Sequence, residues 1–194
     1  EDGSTDNSAE VVDALAAGDD RIRVWHQENR GLSAARNAGF WLSRGDYIAL
    51  LDCDDMYLPE KLAAQVAYLD NHPEVGMVYA DAVLEDGTVW QNHAHQVFGY
   101  PRLAECNLIP CQSVMFRREL VQLVGGCDDA TLAEAEDWDL WMRLCAVTKT
   151  VRLPEPNYVM RRHDAQKSMP KAPEKKARLL QDWATGGAAW LAGS

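Results

Sequence analysis

No stretch of this sequence approaches the roughly 20 consecutive apolar residues that span a bilayer. No signal-peptide pattern is read either, so neither a membrane span nor a leader is expected. Positive charge is scarce. Nineteen Lys and Arg stand against 30 Asp and Glu, a net charge of −11. That balance argues against nucleic acid, whose phosphates are bound mainly through Lys and Arg. It also means that a phosphate-bearing ligand would need local help from a metal ion, an Arg or backbone N–H groups. The five cysteines, Cys53, Cys106, Cys111, Cys127 and Cys145, are odd in number, form no C-x-x-C pair and lie mostly in apolar segments. Reduced, buried thiols and a cytoplasmic location are expected. There is no internal repeat and no Gly-rich phosphate loop with an adjoining Lys or Arg.

What is present is an ordinary globular composition, 47% apolar over 194 residues, enough for one domain with a core. Helix-like and strand-like segments alternate. SAEVVDALAAG predicts a short helix, with Ser8 as N-cap and Gly18 at its end. RIRVWHQ alternates as a strand does. LSAARNAGFWLSRG is helical in period and closes at Gly45. YIALLD is a continuous apolar run, the mark of a buried parallel strand. PEKLAAQVAYLDNHP predicts a helix with Pro59 in its first turn, and VGMVYAD a second buried strand. SVMFRREL starts as a strand and turns helical. EDWDLWMRLCAV predicts a helix and TVRLP a last short strand. The polar segment from Gln166 to Glu174 reads as a linker, and a weak helix or tail follows. Strands alternating with helices predict an α/β fold with a mostly parallel central sheet.

Three acidic stretches carry the chemistry. EDGSTD, at the start, has the form of a ligand-binding turn, because Gly and Ser let a backbone come close to a ligand. An ordinary polar terminus would also fit. In LLDCDDMYLP a buried strand runs straight into Asp52, Cys53, Asp54 and Asp55. Asp-x-Asp puts two carboxylates on one side of an extended chain. Hard oxygen ligands of this kind suit Mg²⁺ or Mn²⁺ held together with substrate phosphates. A solvated turn in which an Asp caps the next helix would use the same residues, and Asp55 fits that role. In AEAEDWDLWMRL, Glu136, Asp137 and Asp139 open a helix, where negative charge is favoured by exposed N–H groups. Alternatively Asp137, beside Trp138 and Trp141, has its pKa raised and acts as a general base.

EDGSTD, NRGLSAARNAG, LDCDD and GGCDD with AEDWDLWMRL, in this order and spacing, resemble glycosyltransferase family 2, inverting enzymes with a GT-A nucleotide-sugar fold. The resemblance covers roughly residues 1–168, leaving 169–194 as linker and tail. It implies nucleotide-sugar binding at Asp2, Arg36, Asp52, Cys53, Asp54 and Glu136, with Asn29, Gly31 and Asn37 in the same motifs. It implies Asp54 on a divalent metal, Mn²⁺ or Mg²⁺, and Asp137 as catalytic base; His163 is either a further metal or diphosphate contact or a surface His beside two Arg residues. MRRH at 160–163 resembles a late Y-R-x-H segment with Met160 in place of the aromatic, and Arg161 and Arg162 would add positive charge. The implied reaction is hexosyl transfer from a nucleotide sugar, a UDP sugar, to a saccharide, lipid or protein acceptor, in the cytoplasm or at the cytoplasmic face of the membrane. The resemblance also implies that a strand and helix ending near a Pro-x-Tyr-Asn turn belong before Glu1, so the domain is expected to lack its first strands. A nucleotidyltransferase and a non-catalytic relative are the competing readings.

Of the aromatics, Trp25, Trp41, Trp138 and Trp141 lie in strand or helix patterns and are expected in the core. Trp90 follows a hairpin-like Asp-Gly, where an acceptor could stack. His93 and His95 beside it read as an exposed loop.

Overall fold

Polar turns cut the chain into short elements, and the computed structural model describes residues 1–90, 103, 107, 109–127 and 136–161. In chain order these are α1 (Ser8–Gly18), α2 (Leu32–Leu42), β1 (Tyr47–Ala49), β2 (Met56–Tyr57), α3 (Lys61–Asn71), β3 (Val75–Tyr79), β4 (Ala82–Leu84) and β5 (Val89–Trp90). A 3-10 turn at Cys111–Ser113 then leads into β6 (Met115–Arg117), α4 (Glu119–Val124), α5 (Glu136–Val147), β7 (Lys149–Arg152) and β8 (Tyr158–Met160). Cys106, Arg162, His163, the loop at His93 and His95, the 166–174 linker and the 169–194 tail lie outside the described residues.

The described strands form two four-stranded sheets, in the orders β1-β6-β3-β7 and β2-β8-β4-β5. Among the described pairs, β3–β7 and β4–β8 are parallel and the other four are antiparallel. The sheet is therefore more antiparallel than its apolar runs predict. The reason is β6, which returns from a later part of the chain and inserts antiparallel between β1 and β3. Burial on both faces makes a strand continuously apolar whichever way its neighbours run.

β3 is buried at every position. On one face Met77 and Tyr79 join Phe40 of α2, Phe116, Leu120 and Val121 of α4, and Trp138 and Trp141 of α5. Phe116 meets Phe40 and Trp141 edge to face, with ring centroids 6.0 and 6.2 Å apart. On the other face Val75, Val78 and Met115 pack on Leu69 of α3. Each fully buried side chain of this size contributes roughly 2–3 kcal/mol, so this doubly covered sheet is what fixes the loops at its ends.

Other expectations are corrected. RIRVWHQ is extended but joins neither sheet. A strand needs a partner ladder, and the described backbone bonds of this stretch are two to Glu1, through Glu1 N to Trp25 O and Gln27 N to Glu1 O, and turn bonds from Arg21 N and Ile22 N back to Asp19. Trp25 and Trp41 are exposed, unlike Trp138 and Trp141. Ser8 is the first residue of α1 rather than its cap; Asn7 holds the cap position, and the Asp6 carboxylate accepts from Ser8 N. TVRLP is not the last strand, because β8 follows and pairs with β2 and β4. Cys53 is exposed, whereas Cys111 and Cys127 are buried, and all three are free thiols.

Candidate functional site

The first acidic stretch makes a turn held by its own carboxylates. Glu1 accepts from Gly3 N at 3.2 Å and Ser4 N at 2.5 Å. Asp2 accepts from Gln27 Nε2 at 2.8 Å and from the backbone N–H of Arg30 and Gly31, each at 2.9 Å. The Gln27 amide, then the two backbone donors, hold the Asp2 pKa below the usual carboxylate range. The turn lies against the N-R-G loop so closely that a Cβ on Gly3 would come within 2.8 Å of Asn29 N. Only glycine fits there. Gly31 in turn caps α2, which carries Arg36.

Arg36 joins the other two stretches. Its guanidinium, on a side chain 9% exposed, donates to Glu136 Oε1 at 2.6 Å and to Asp52 Oδ1 at 3.2 Å. One cation thus bridges the Asp-x-Asp loop to the start of α5. The second oxygen of Asp52 accepts from Gln112 Nε2 in a short hydrogen bond. Both Asp52 oxygens are therefore committed to protein donors. Asp54 stands two residues on at the same strand end, partly buried, with the exposed Cys53 between.

Asp55 does not cap α3. It is buried, and its Oδ1 accepts from Arg161 N at 3.0 Å, just beyond β8. Its pKa is raised, first by desolvation and then by Asp54 and Asp52. The contact docks the first part of the MRRH segment onto the acidic loop.

Asp137 keeps some solvent contact, yet enough protein surrounds its carboxyl that desolvation dominates. With the neighbouring charge of Glu136, this pushes its pKa up to about 6 against the opposing pull of Arg36. It accepts from Trp138 N at 2.7 Å and Asn107 Nδ2 at 3.2 Å. Asp139, next but one, is taken up by Arg143 and belongs to the helix rather than to the site. Asn37 likewise serves structure. Its amide clamps Cys127 by both backbone groups, at 2.7 and 2.8 Å. A Cβ on Gly126, at φ +79°, would come within 2.5 Å of the Asn37 Oδ1.

Of the expected site residues, Arg36, Asp52 and Glu136 are in direct contact, and Asp137 adjoins them. Asp2 is tied to them through its bonds at Arg30 and Gly31, at the start of α2. His163 lies outside the described residues. Asn107 and Gln112, which donate to Asp137 and Asp52, are not singled out by their sequence. Their one signal is that they are amide side chains in the mostly apolar stretch NLIPCQSV. Among the described residues, no three His, Cys, Asp or Glu converge to hold a metal by themselves.

Comparison with known proteins bears on the family and the fold. The family model described as glycosyl transferase family 2 matches residues 1–132. The chain belongs to glycosyl transferase family 2. The match ends before Glu136 and Asp137. Among relatives, the glycosyltransferase GlyG of Streptococcus pneumoniae is 43% identical over 83 residues, 41% of this chain and 28% of that protein. Among solved structures, S. aureus TarS 1-349 in complex with UDP-GlcNAc superposes with a TM-score of 0.73 at 18% identity, over 92% of this chain and 53% of that one. The Pyrobaculum calidifontis mannosyltransferase in complex with GDP-Man and Mn²⁺ superposes with a TM-score of 0.63 at 18% identity, over 97% and 60%. The fold is therefore GT-A. The chain spans between about a quarter and three fifths of the length of these proteins. No helix among the described residues is long and apolar enough to cross a membrane.

Proposed function

We propose that this chain carries the donor site and the catalytic base of an inverting glycosyltransferase that moves a hexosyl group from a UDP sugar to an acceptor hydroxyl. The observation that carries this reading is the Arg36 bridge. From one guanidinium it draws together the Asp-x-Asp loop, 16 residues on, and the Glu136–Asp137 pair, 100 residues on, beside a carboxyl whose pKa is raised to about 6.

The donor set suits a divalent metal bound jointly with substrate. Mg²⁺ and Mn²⁺ take one or two carboxylates plus phosphate oxygens and do not need a cage of protein ligands. Asp54 would hold the ion, as the family resemblance implies, and His163 would be a further ligand. When bound, the ion neutralises charge on the leaving diphosphate. Asp2 and the 27–31 loop receive the nucleoside. Asp52, fixed by Arg36 and Gln112, orients the donor. Asp137 accepts the proton of the acceptor hydroxyl. The new oxygen–carbon bond forms on one face of the anomeric carbon as the bond to the diphosphate breaks on the other, so one displacement inverts the configuration. A base with a pKa near 6 is mostly ionised at neutral pH yet basic enough to help.

Titration of UDP into the chain, with and without Mn²⁺, tests the donor site. Saturable binding that needs Mn²⁺ and disappears in Asp54→Ala is expected. Metal-independent binding, or binding unchanged in Asp54→Ala, would overturn the assignment.

A further inference from the structure

Beneath the acidic cluster lies a buried cation that the proposed reaction does not use. Lys61 opens α3 with its side chain turned inward, and the residue is 2% exposed. An ammonium has three N–H bonds, and three oxygens surround this one: Gln65 Oε1 at 2.6 Å, Ser113 O at 3.1 Å and Val114 O at 3.4 Å. The Tyr57 ring covers it, with its centroid 4.7 Å away. None of the ion pairs among the described residues includes Lys61. Two further amides reach the same Ser113 carbonyl, Gln65 Nε2 at 2.7 Å and Asn157 Nδ2 at 2.9 Å. A carbonyl oxygen offers two lone pairs, and here three donors compete for it.

Such an arrangement is costly. A buried charge without a counter-ion is unfavourable, and burial pushes the Lys61 pKa down to about 7. Even buried ion pairs can often be replaced by apolar side chains of similar volume without loss of stability, and an ammonium with no counter-ion has less to offset its desolvation. Stability alone therefore does not account for the lysine, but its place does. Ser113 ends the 3-10 turn whose middle residue, Gln112, donates to Asp52. The first residue of that turn, Cys111, lies within the electrostatic reach of Arg36, Asp137, Asp52 and Glu136.

We infer that Lys61 is a positioning residue for the donor site: with Gln65 and Asn157 it pins the Ser113 carbonyl, and through the Cys111–Ser113 turn it aims Gln112 at Asp52. The inference rests on the donor-site reading above for its functional part and on the hydrogen bonds alone for its structural part.

The test compares the full chain with Lys61→Met, Gln112→Ala and the double variant. The first readout is hydrogen exchange at the Ser113 and Val114 amides, which bond to Pro110 O and Cys111 O within the turn. In Lys61→Met these amides should exchange about tenfold faster, with those of α2 unchanged and the melting temperature equal to or above the parent's. The second readout is UDP affinity with Mn²⁺. Each single variant should weaken it about five- to tenfold, and the double variant no further than the weaker single, as residues on one path behave. A Lys61→Met chain with parental exchange overturns the inference, as do additive losses in the double variant. A Lys61→Met chain that does not fold overturns it too, because the lysine would then be a plain structural requirement. Should the parent not bind UDP, the donor reading fails, and the exchange rates still decide whether Lys61 holds the turn.

Discussion

Asp2 and Asp137 are the same side chain in opposite settings. Asp2 lies at a loop where three N–H groups from residues 27–31 converge on it, and its pKa is held down. Asp137 lies where desolvation and Glu136 outweigh Arg36 and two hydrogen-bond donors, and its pKa rises to about 6. The loop therefore keeps a permanent negative charge that can bind. The helix start keeps a carboxyl that can take up and give back a proton. In the proposed division between a binding carboxyl and a catalytic one, the surroundings make the difference, and each variant below alters one side of that contrast.

The largest effect is expected from Asp137→Asn. The amide keeps the shape and loses the base. General-base catalysis is worth roughly 10²–10⁴ in rate, so transfer from a UDP sugar should fall by about that factor, with UDP affinity within about threefold of the parent. Retained turnover in Asp137→Asn would remove the base from this position.

Arg36→Met comes next. It removes the bridge and leaves Glu136, 8% exposed at its side chain, without its cation. Breaking a buried pair from one side costs about 3–5 kcal/mol. Asp52 is 39% exposed and can recover water, so about 3 kcal/mol in a denaturant titration is the expected loss. Because Arg36 holds the Asp137 pKa down, the midpoint of any pH–rate profile should also move to higher pH. A stable Arg36→Met chain with an unmoved midpoint would mean that the two acidic stretches do not communicate through this residue.

Much of this was legible in the sequence, and the failures have physical causes. Helices α2 and α5 and strand β3 follow from period and apolar runs, because those patterns record burial. The direction of neighbouring strands leaves no such trace, and so the antiparallel insertion of β6 was missed. β8 was missed because three residues make too short a pattern. The acidic motifs were legible because each is local, a glycine or acid at fixed spacing beside an apolar run. Lys61, Gln65 and Gln112 were not, because each acts on a partner 48 to 60 residues away. The one clue was the inward stripe of α3, Lys61, Gln65 and Leu69, where two polar residues occupy core positions.

The pH dependence of stability sharpens the contrast. For Asp137 the folded pKa of about 6 exceeds the ordinary 3.8, so folding takes up a proton between those values. Stability from this group is full below about pH 4 and is lost as the pH rises through 6, by up to roughly 3 kcal/mol. Asp137→Asn should thus be more stable than the parent at pH 8, with the difference vanishing near pH 4. Equal stability at both values would show that the carboxyl is better solvated than its packing implies.

Asp2→Asn should have the smallest effect and the opposite sign. The Asp2 pKa is lowered on folding, so its contribution is present at neutral pH and is lost as the pH falls through the folded value. An asparagine still offers one oxygen to the loop, but its amide nitrogen faces N–H donors where the second carboxylate oxygen was. The charge at the loop disappears while the Glu1 turn keeps its own bonds to Gly3 and Ser4. UDP affinity should then weaken by about three- to tenfold, the net size of one ordinary hydrogen bond. The chemical step, measured in single turnover at saturating donor, should be close to parental. A fall in the step equal to that of Asp137→Asn would mean that the two carboxyls act as one unit, and the division between a binding loop and a catalytic helix start would not hold.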